Sequence, residues 1–246
     1  MTMKIIGIIP ARYSSSRFPG KPLVDIGGKS MIQRVYEQSA KSKSLSDVLV
    51  ATDDERIEKH VKNFGGHVII TKVSHQSGTD RCFEAAQKYS KADIVINIQG
   101  DEPFIHPEQI DLAVSCFDSD NVQISTLVKK INTNEELFSI NTPKVLLNKY
   151  GEAIYFSRQT IPFLREKDTT EWLKHHTFYK HIGIYGYTTK VLSEITALKQ
   201  SSLELAEGLE QLRWLENGYK IKTKITDFES VSVDVPEDIK KLTIFL

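Results

Sequence analysis

Residues Lys4 to Gly28 read KIIGIIPARYSSSRFPGKPLVDIGG, and the reading of this stretch decides the fold. Ile5 to Ile9 is an apolar run that predicts a buried strand stopping at Pro10. Arg12, Ser14, Ser15, Ser16, Arg17, Gly20 and Lys21 follow, with a turn at Pro19-Gly20. Small residues let backbone N–H groups approach a ligand closely, and the three cations supply charge for a polyphosphate. Open α/β sheets bind ligands at the carboxyl ends of their strands, where this loop falls. The plainer reading is a solvated basic loop, as most charged runs are. Pro10, the serines and Pro19-Gly20 fix this loop, however, and its cations follow no helical period.

Outward from this stretch, strand-like and helix-like segments alternate, which predicts an α/β fold with a largely parallel sheet. Ser30 to Lys43 predicts a helix capped by Ser30, with Ile32, Val35, Tyr36 and Ala40 near one face. Gly28-Lys29-Ser30 is not the tail of a Walker A loop, because Leu23 stands where that motif needs glycine. Asp47 to Thr52 predicts the second strand, and a helix follows through Phe64. Asp53 reads as its cap in preference to a metal ligand, with Asp54 and Glu55 favouring the dipole. Gly65-Gly66 ends that helix, and His67 to Thr71 predicts a third strand.

The segment HQSGTDR, His75 to Arg81, precedes a helix running to Tyr89. Its small-residue turn suits reading of a flat base edge by backbone and Arg81, and suits a plain helix cap equally. Asp93 to Ile98 predicts a buried strand that ends in Gln99-Gly100-Asp101-Glu102-Pro103. A carboxylate there points into the ligand crevice, and hard Mg²⁺ takes one or two such oxygen ligands beside phosphate oxygens; an acidic turn residue is the plainer reading, and the strand-end position favours the ligand role.

A helix over Pro107 to Phe117 and a strand over Val122 to Val128 are predicted next. Asn132 to Thr177 then reads as an excursion from the main sheet, containing a hairpin. Phe178 to Thr188 has strong β character, in which His181 has the ordinary alternative of a hydrogen-bonded sheet histidine. A single helix is predicted from Ser201 to Asn217 with Leu205, Leu209, Leu212 and Leu215 as its core stripe, and with Glu207, Glu210 and Gln211 as polar positions of a kind more often solvated than functional. Tyr219 to Ile225 and Val231 to Val233 read as the last β pieces, before a C-terminal helix for which Asp234 is an entering residue.

The 246 residues and 40% hydrophobic content suffice for one large domain with a full core. Net charge is zero and the pI is near 7.1, so nothing points to nucleic acid or an acidic membrane. Cys82 and Cys116 lack metal-ligand spacing and read as buried free thiols. The first apolar run is too short for a signal peptide, and no stretch is long enough for a membrane span. A protein of the reducing cytoplasm is expected.

The segments IIPARYSSSRFPGKPL, HQSGTDR, QGDEP, YFSR, HIGIYGY, LEQLR and SVDVPEDI, in this order, resemble the sugar-activating cytidylyltransferases, and the 3-deoxy-manno-octulosonate cytidylyltransferase family in particular. The resemblance implies a single domain over residues 1–246. Its fold would be three-layer α/β, with a mixed, mainly parallel sheet of the nucleotide-diphospho-sugar transferase kind. The excursion at about 132–177 would make the contact of a homodimer. CTP and 3-deoxy-manno-octulosonate are the implied substrates. Pro10, Ala11, Arg12, Ser14, Arg17, Lys21, Ser77, Gly78, Arg81 and Gln99 would contact the nucleotide. Arg12, Arg17, Lys21 and Asp101 would carry the catalysis. Arg158, His181, Tyr185, Glu210 and Gln211 would hold the sugar, and Asp101 and Asp234 would bind Mg²⁺.

The sequence departs from the family pattern at Asp80, Pro143, Ser202 and Val235, where glutamate, valine, proline and threonine are usual. Two alternatives remain open at this level. One is a cytidylyltransferase for a related acidic sugar, an 8-amino octulosonate or an N-acylneuraminate, or a same-fold enzyme using a sugar phosphate with UTP. The other is a non-catalytic nucleotide-binding module, although the GxGxxG of an NAD-binding unit is absent.

Overall fold

The computed structural model describes residues 3–14, 18–89, 91–119, 121–229 and 231–245. Strand β1 (Ile5–Ala11) leads into a small hairpin, β2 (Asp25–Ile26) and β3 (Lys29–Ser30), and into α1 (Met31–Ser39). Ser30 caps α1 by accepting from the Gln33 N–H. Then come β4 (Asp47–Thr52), α2 (Glu55–Asn63), β5 (His67–Ile70), α3 (Gly78–Tyr89), β6 (Ile94–Asn97), α4 (Pro107–Val114) and β7 (Ile124–Lys130). The second half holds α5 (Asn134–Phe138), β8 (Lys144–Leu147), β9 (Ala153–Ser157), α6 (Trp172–His175), β10 (Tyr179–Thr188), α7 (Thr189–Thr196), α8 (Ser202–Glu207), α9 (Gln211–Glu216) and β11 (Ile221–Ile225).

The main sheet runs β11-β7-β10-β6-β1-β4-β5. Its pairs are parallel except where β10 lies antiparallel between β6 and β7. This reversal brings the amino end of β10 to the carboxyl ends of its neighbours. Period-two alternation splits β1 between two cores. Ile6 and Ile8 pack with Cys82 and Ala85 of α3, Leu192 of α7 and Trp214 of α9. Ile5 and Ile9 pack with Ile32 and Val35 of α1, Ile57 of α2 and Ile110 of α4. Helices therefore cover both faces, giving three layers, and each fully buried isoleucine contributes about 1.5–3 kcal/mol.

Several elements differ from the sequence expectation. Strand β1 continues through Pro10 to Ala11. Ile8 O, on the β6 side, accepts from Ile98 N at 2.9 Å. Pro10 points to the same side, beyond the end of β6, so its missing N–H removes no ladder bond. Asp54, not Asp53, caps α2. The helix expected from Ser201 to Asn217 breaks at Gly208, which takes a left-handed conformation at φ 62°. The break resets the helical phase, so Leu209 and Leu212 are buried but Leu205 is 66% exposed. Val231 to Val233 forms no strand, and the C-terminal segment Pro236–Phe245 winds as a 3₁₀ helix. The hairpin β8–β9 is a branch of the main sheet, because β8 pairs with Tyr179 and Lys180 of β10.

Cys82 and Cys116 are both buried and free. Burial pushes the Cys82 thiol well up and the Cys116 thiol up to about 11. Because the thiolate is the nucleophile, the folded protein is expected to resist iodoacetamide at both sites. Mass spectrometry after a labelling time that modifies the urea-unfolded chain completely checks this; native labelling at the unfolded rate would contradict the burial.

Candidate active site

The main-sheet order places β4 and β5 on one side of β1 and β6 on the other. The strands part at their carboxyl ends, which opens a crevice at the switch point. A cleft of about 410 Å³ lies there. Pro10, Ala11, Arg12, Ser14 and Lys21 line it from the first loop, Gly78 from the start of α3, and Gln99 and Asp101 from the end of β6. Gly100 lies on the floor, where a Cβ would stand 2.9 Å from Pro10 O. Arg17 lies outside the described residues.

Lys21 Nζ donates to Asp101 Oδ2 at 2.7 Å and to Val233 O at 2.9 Å. Arg12 is held by backbone: its Nη2 donates to His75 O and, at 3.5 Å, to Ser77 O. Burial, then the nearby Arg81, lowers the Arg12 pKa from its usual value. The carbonyls that steady Arg12 belong to a loop braced by Glu84 of α3. Glu84 accepts from Lys72 N at 3.0 Å and bonds the His75 ring. Burial pushes its carboxyl up, but the bonds from Lys72, Lys88 and His75 prevail and bring it down to about 2.

A depressed carboxylate stabilises the fold above its unfolded pKa and loses that contribution as pH falls toward the folded one. The brace is therefore expected to weaken between about 4.5 and about 2. Urea unfolding at stepped pH checks it: Glu84→Gln should flatten the acid limb of stability, and an identical limb would contradict the assignment.

Ser77 starts α3 by accepting from Asp80 N at 3.1 Å, while Asp80 accepts from Ser77 N at 3.2 Å. Arg81, expected at the base, is placed differently from the rest of this segment. Its side chain is fully buried, pairs with Asp53 Oδ2 at 2.8 Å and donates to Thr71 Oγ1. It is not among the residues that line the cleft, because a buried guanidinium is held by its partners. The same pair explains why Asp53 is not the α2 cap.

The two carboxylates expected at a metal sit on adjoining segments. Asp101 lines the main cleft, whereas Asp234 lines a neighbouring cavity with Arg158, Ile140, Asn141 and Pro143. Val233 N donates to Asp101 O at 2.9 Å and ties the segments together. Among the described residues, no group of three or more His, Cys, Asp or Glu gathers as a metal site.

Arg158 is aimed by the end of α8. Its Nε donates to Glu207 O at 2.7 Å, Nη2 to Gly208 O at 3.4 Å and Nη1 to Ile140 O at 3.2 Å. Glu207, read from sequence as solvated, accepts from Ser157 Oγ at 2.7 Å and Arg158 N at 2.9 Å. His181 lines the next cavity, which shares Asn141 and Pro143 with that of Arg158. Gln99 Nε2 donates to Gly183 O at 2.8 Å and links this region to the main cleft. Tyr185 is buried against His181, Tyr187 and Trp214, and burial holds its hydroxyl well above the usual range.

Glu210 stands on another wall, in a cavity shared with Gln76, Ser77 and Arg213. Burial raises its carboxyl, although the Thr79 hydroxyl donates to it at 2.7 Å. Gln211 is buried beneath it at 4% exposure. Of the residues expected at the sugar, Arg158 and His181 line one pair of cavities and Glu210 another, while Tyr185 and Gln211 are buried and line none of these three. Two further residues stand at the site without being singled out by the sequence: Gln76, which lines both the main cleft and the Glu210 cavity, and Asn141, shared by the cavities of Arg158 and His181. Both belong to segments already marked, HQSGTDR and the start of the hairpin, but an amide side chain carries no sequence signal of its own.

A basic loop after β1, facing a strand-end carboxylate across the switch point of a three-layer α/β fold, has the form of a nucleotidyl-transfer site, and a family model described as cytidylyltransferase matches residues 6–224. The chain belongs to the 3-deoxy-manno-octulosonate cytidylyltransferase family. It is 61% identical over 249 aligned residues to the 3-deoxy-manno-octulosonate cytidylyltransferase of Parabacteroides distasonis, covering 99% of this chain and 98% of that one. Its identity to the enzyme of that name from Bacteroides thetaiotaomicron is 59%, with the same coverage. A solved structure of CMP:2-keto-3-deoxy-manno-octonic acid synthetase complexed with CTP superposes with a TM-score of 0.91 at 41% identity, covering 98% of both chains.

Proposed function

We propose that the protein joins CTP to 3-deoxy-manno-octulosonate, giving the CMP-sugar and pyrophosphate for lipopolysaccharide synthesis. The observation that carries this reading is the meeting of Lys21 and Asp101 across one cleft at the β1–β6 switch point, in a chain of this family. The sugar's anomeric oxygen attacks the α-phosphorus in line, the bond to the bridging oxygen of pyrophosphate breaks, and the hydroxyl proton is released. Arg12, Arg17 and Lys21 hold the triphosphate and the charge that grows on it. Ser77 and Gly78 present backbone to the base, and Gln99 lies beside the nucleotide. Arg158, held by three carbonyls, receives the sugar carboxylate, a fit for a guanidinium.

Magnesium suits this donor set. Asp101 is a hard oxygen donor that faces a cation, the Lys21 ammonium, and Asp234 follows the residue bonded to its backbone. Held by Asp101 and Asp234, the ion would neutralise phosphate oxygens and ease departure of pyrophosphate. The exposed apolar residues Phe138, Ile140, Ile154 and Phe163 of the 132–177 segment support homodimer contact through it. Among the described residues, no helix is long and apolar enough to cross a membrane. The use of CTP places the reaction in the cytoplasm.

Sugar labelled with ¹⁸O at the anomeric hydroxyl tests the bond made. The label is expected in the CMP-sugar bridge; label lost to water or found in pyrophosphate would overturn this route. A methyl at Gly100 would press on Pro10 O, so Gly100→Ala is expected to weaken CTP binding about tenfold by calorimetry. An unchanged affinity would contradict the placement of CTP on this floor.

A further inference from the structure

Thr126 of β7 is fully buried, and its hydroxyl sits among three polar atoms. Oγ1 lies 2.7 Å from Ile184 O, 3.2 Å from Ile182 O and 2.9 Å from His181 Nε2. Both carbonyls reach one hydroxyl because the pairing of β10 with β7 slips register between Ile182 and Tyr185. A carbonyl oxygen only accepts, and a hydroxyl has one proton. That proton goes to a carbonyl, the nearer being Ile184 O. An unprotonated Nε2 would then place its lone pair against the lone pairs of Oγ1. Nε2 must therefore carry the hydrogen and donate.

The other ring nitrogen is left as the acceptor. Among the described residues His181 Nδ1 has no hydrogen-bond partner, and it is not among the unpaired atoms sealed from solvent. The ring lines the cavity with Asn141, Pro143 and Gly183, beside that of Arg158. Phe156 packs edge-on at 5.3 Å between ring centroids, and Tyr185 lies at 5.1 Å. Burial brings the His181 pKa down to about 3, so the ring stays neutral near pH 7.

We propose that Thr126 is a positioning residue that locks His181 as its Nε2–H tautomer, so that Nδ1 accepts a hydrogen bond from a hydroxyl of the bound sugar. The sugar part of this inference rests on the functional reading above; the lock itself does not. The wall is thereby selective for a group that donates. A hydroxyl or an amine satisfies Nδ1, whereas a carboxylate, a fluorine or a methoxyl turns lone pairs toward it. The carboxylate of an acidic sugar is thus directed to Arg158, and a hydroxyl to His181.

Long-range ¹H–¹⁵N correlation spectra of the ligand-free, ¹⁵N-labelled protein test the lock, with His181→Asn used to assign the ring. A protonated, pyrrole-type Nε2 and a bare, pyridine-type Nδ1, unchanged between about pH 5 and pH 8, are expected. An Nδ1–H ring, or one averaging both forms, would overturn the proposal. Thr126→Val removes the hydroxyl at near-constant shape. It is expected to free the tautomer and to raise KM for the sugar about tenfold, leaving KM for CTP and kcat nearly unchanged, with Thr126→Ser restoring both readouts. A fixed Nε2–H tautomer in Thr126→Val, or an unchanged sugar KM, would overturn it. Failure of the wild type to turn over the sugar would count against the functional reading, while the spectrum still decides the lock.

Discussion

Replacing Asp101 by asparagine is expected to lower kcat about 10³-fold at saturating CTP, sugar and magnesium, the scale of losing a group that stabilises charge at a reacting centre. The substitution keeps size and shape and removes only the charge. That charge is matched by the Lys21 ammonium at 2.7 Å. Its position is set by the end of β6, by Gly100, which lets the chain cross close over Pro10, and by the Val233 bond to its carbonyl. A neutral amide keeps the geometry but leaves Lys21 without a counter-charge and the triphosphate without a carboxylate for a shared cation. Steady-state kinetics, with CTP affinity measured alongside, check this. Turnover within about threefold of the wild type would remove Asp101 from the machinery.

Glu204→Ala is expected to destabilise the fold by about 3–5 kcal/mol, because it takes the two-pronged partner from a buried guanidinium and leaves it only the longer contact to Glu210. Glu204 and Arg213 make a two-pronged pair, Nε to Oε2 at 2.7 Å and Nη2 to Oε1 at 2.5 Å, with side chains 8% and 9% exposed. The pair joins α8 to α9 across the break at Gly208, and so holds both Arg158 and Glu210 in place. The Glu204 bond raises the Arg213 pKa; without it the guanidinium still keeps its proton, as arginine does in proteins, and is left with only Glu210 at 3.9 Å as a counter-charge. Urea unfolding of Glu204→Ala measures the loss, and the double variant Glu204→Leu/Arg213→Met is expected to recover much of it. A single-variant loss below about 1 kcal/mol, the value for an exposed pair, would contradict the burial argument.

Features set by local pattern were legible in the sequence. The apolar runs of β1, β4 and β6, the Ser30 cap and the strand-end position of Asp101 each depend on a few consecutive residues. Features set by distant partners were not. Arg81 reads as a free donor at a helix start until Asp53, far earlier in the chain, is found against it. Glu207 reads as a solvated position on a continuous helix until Gly208 turns left-handed and places its carboxylate on Ser157 and Arg158. The meeting of the segments that carry Asp101 and Asp234 rests on a backbone contact that no spacing predicts. Within the segments that the family motifs mark, the fold decides which side chains face a cleft and which hold the walls.

Pyrophosphate release from CTP with magnesium and 3-deoxy-manno-octulosonate, run beside the 8-amino octulosonate and an N-acylneuraminate, tests the central claim most directly. Release with CTP and the first sugar, well above either alternative and above the other three nucleotides, is the expected result. Release only with another sugar, or CTP binding without release from any, would contradict it.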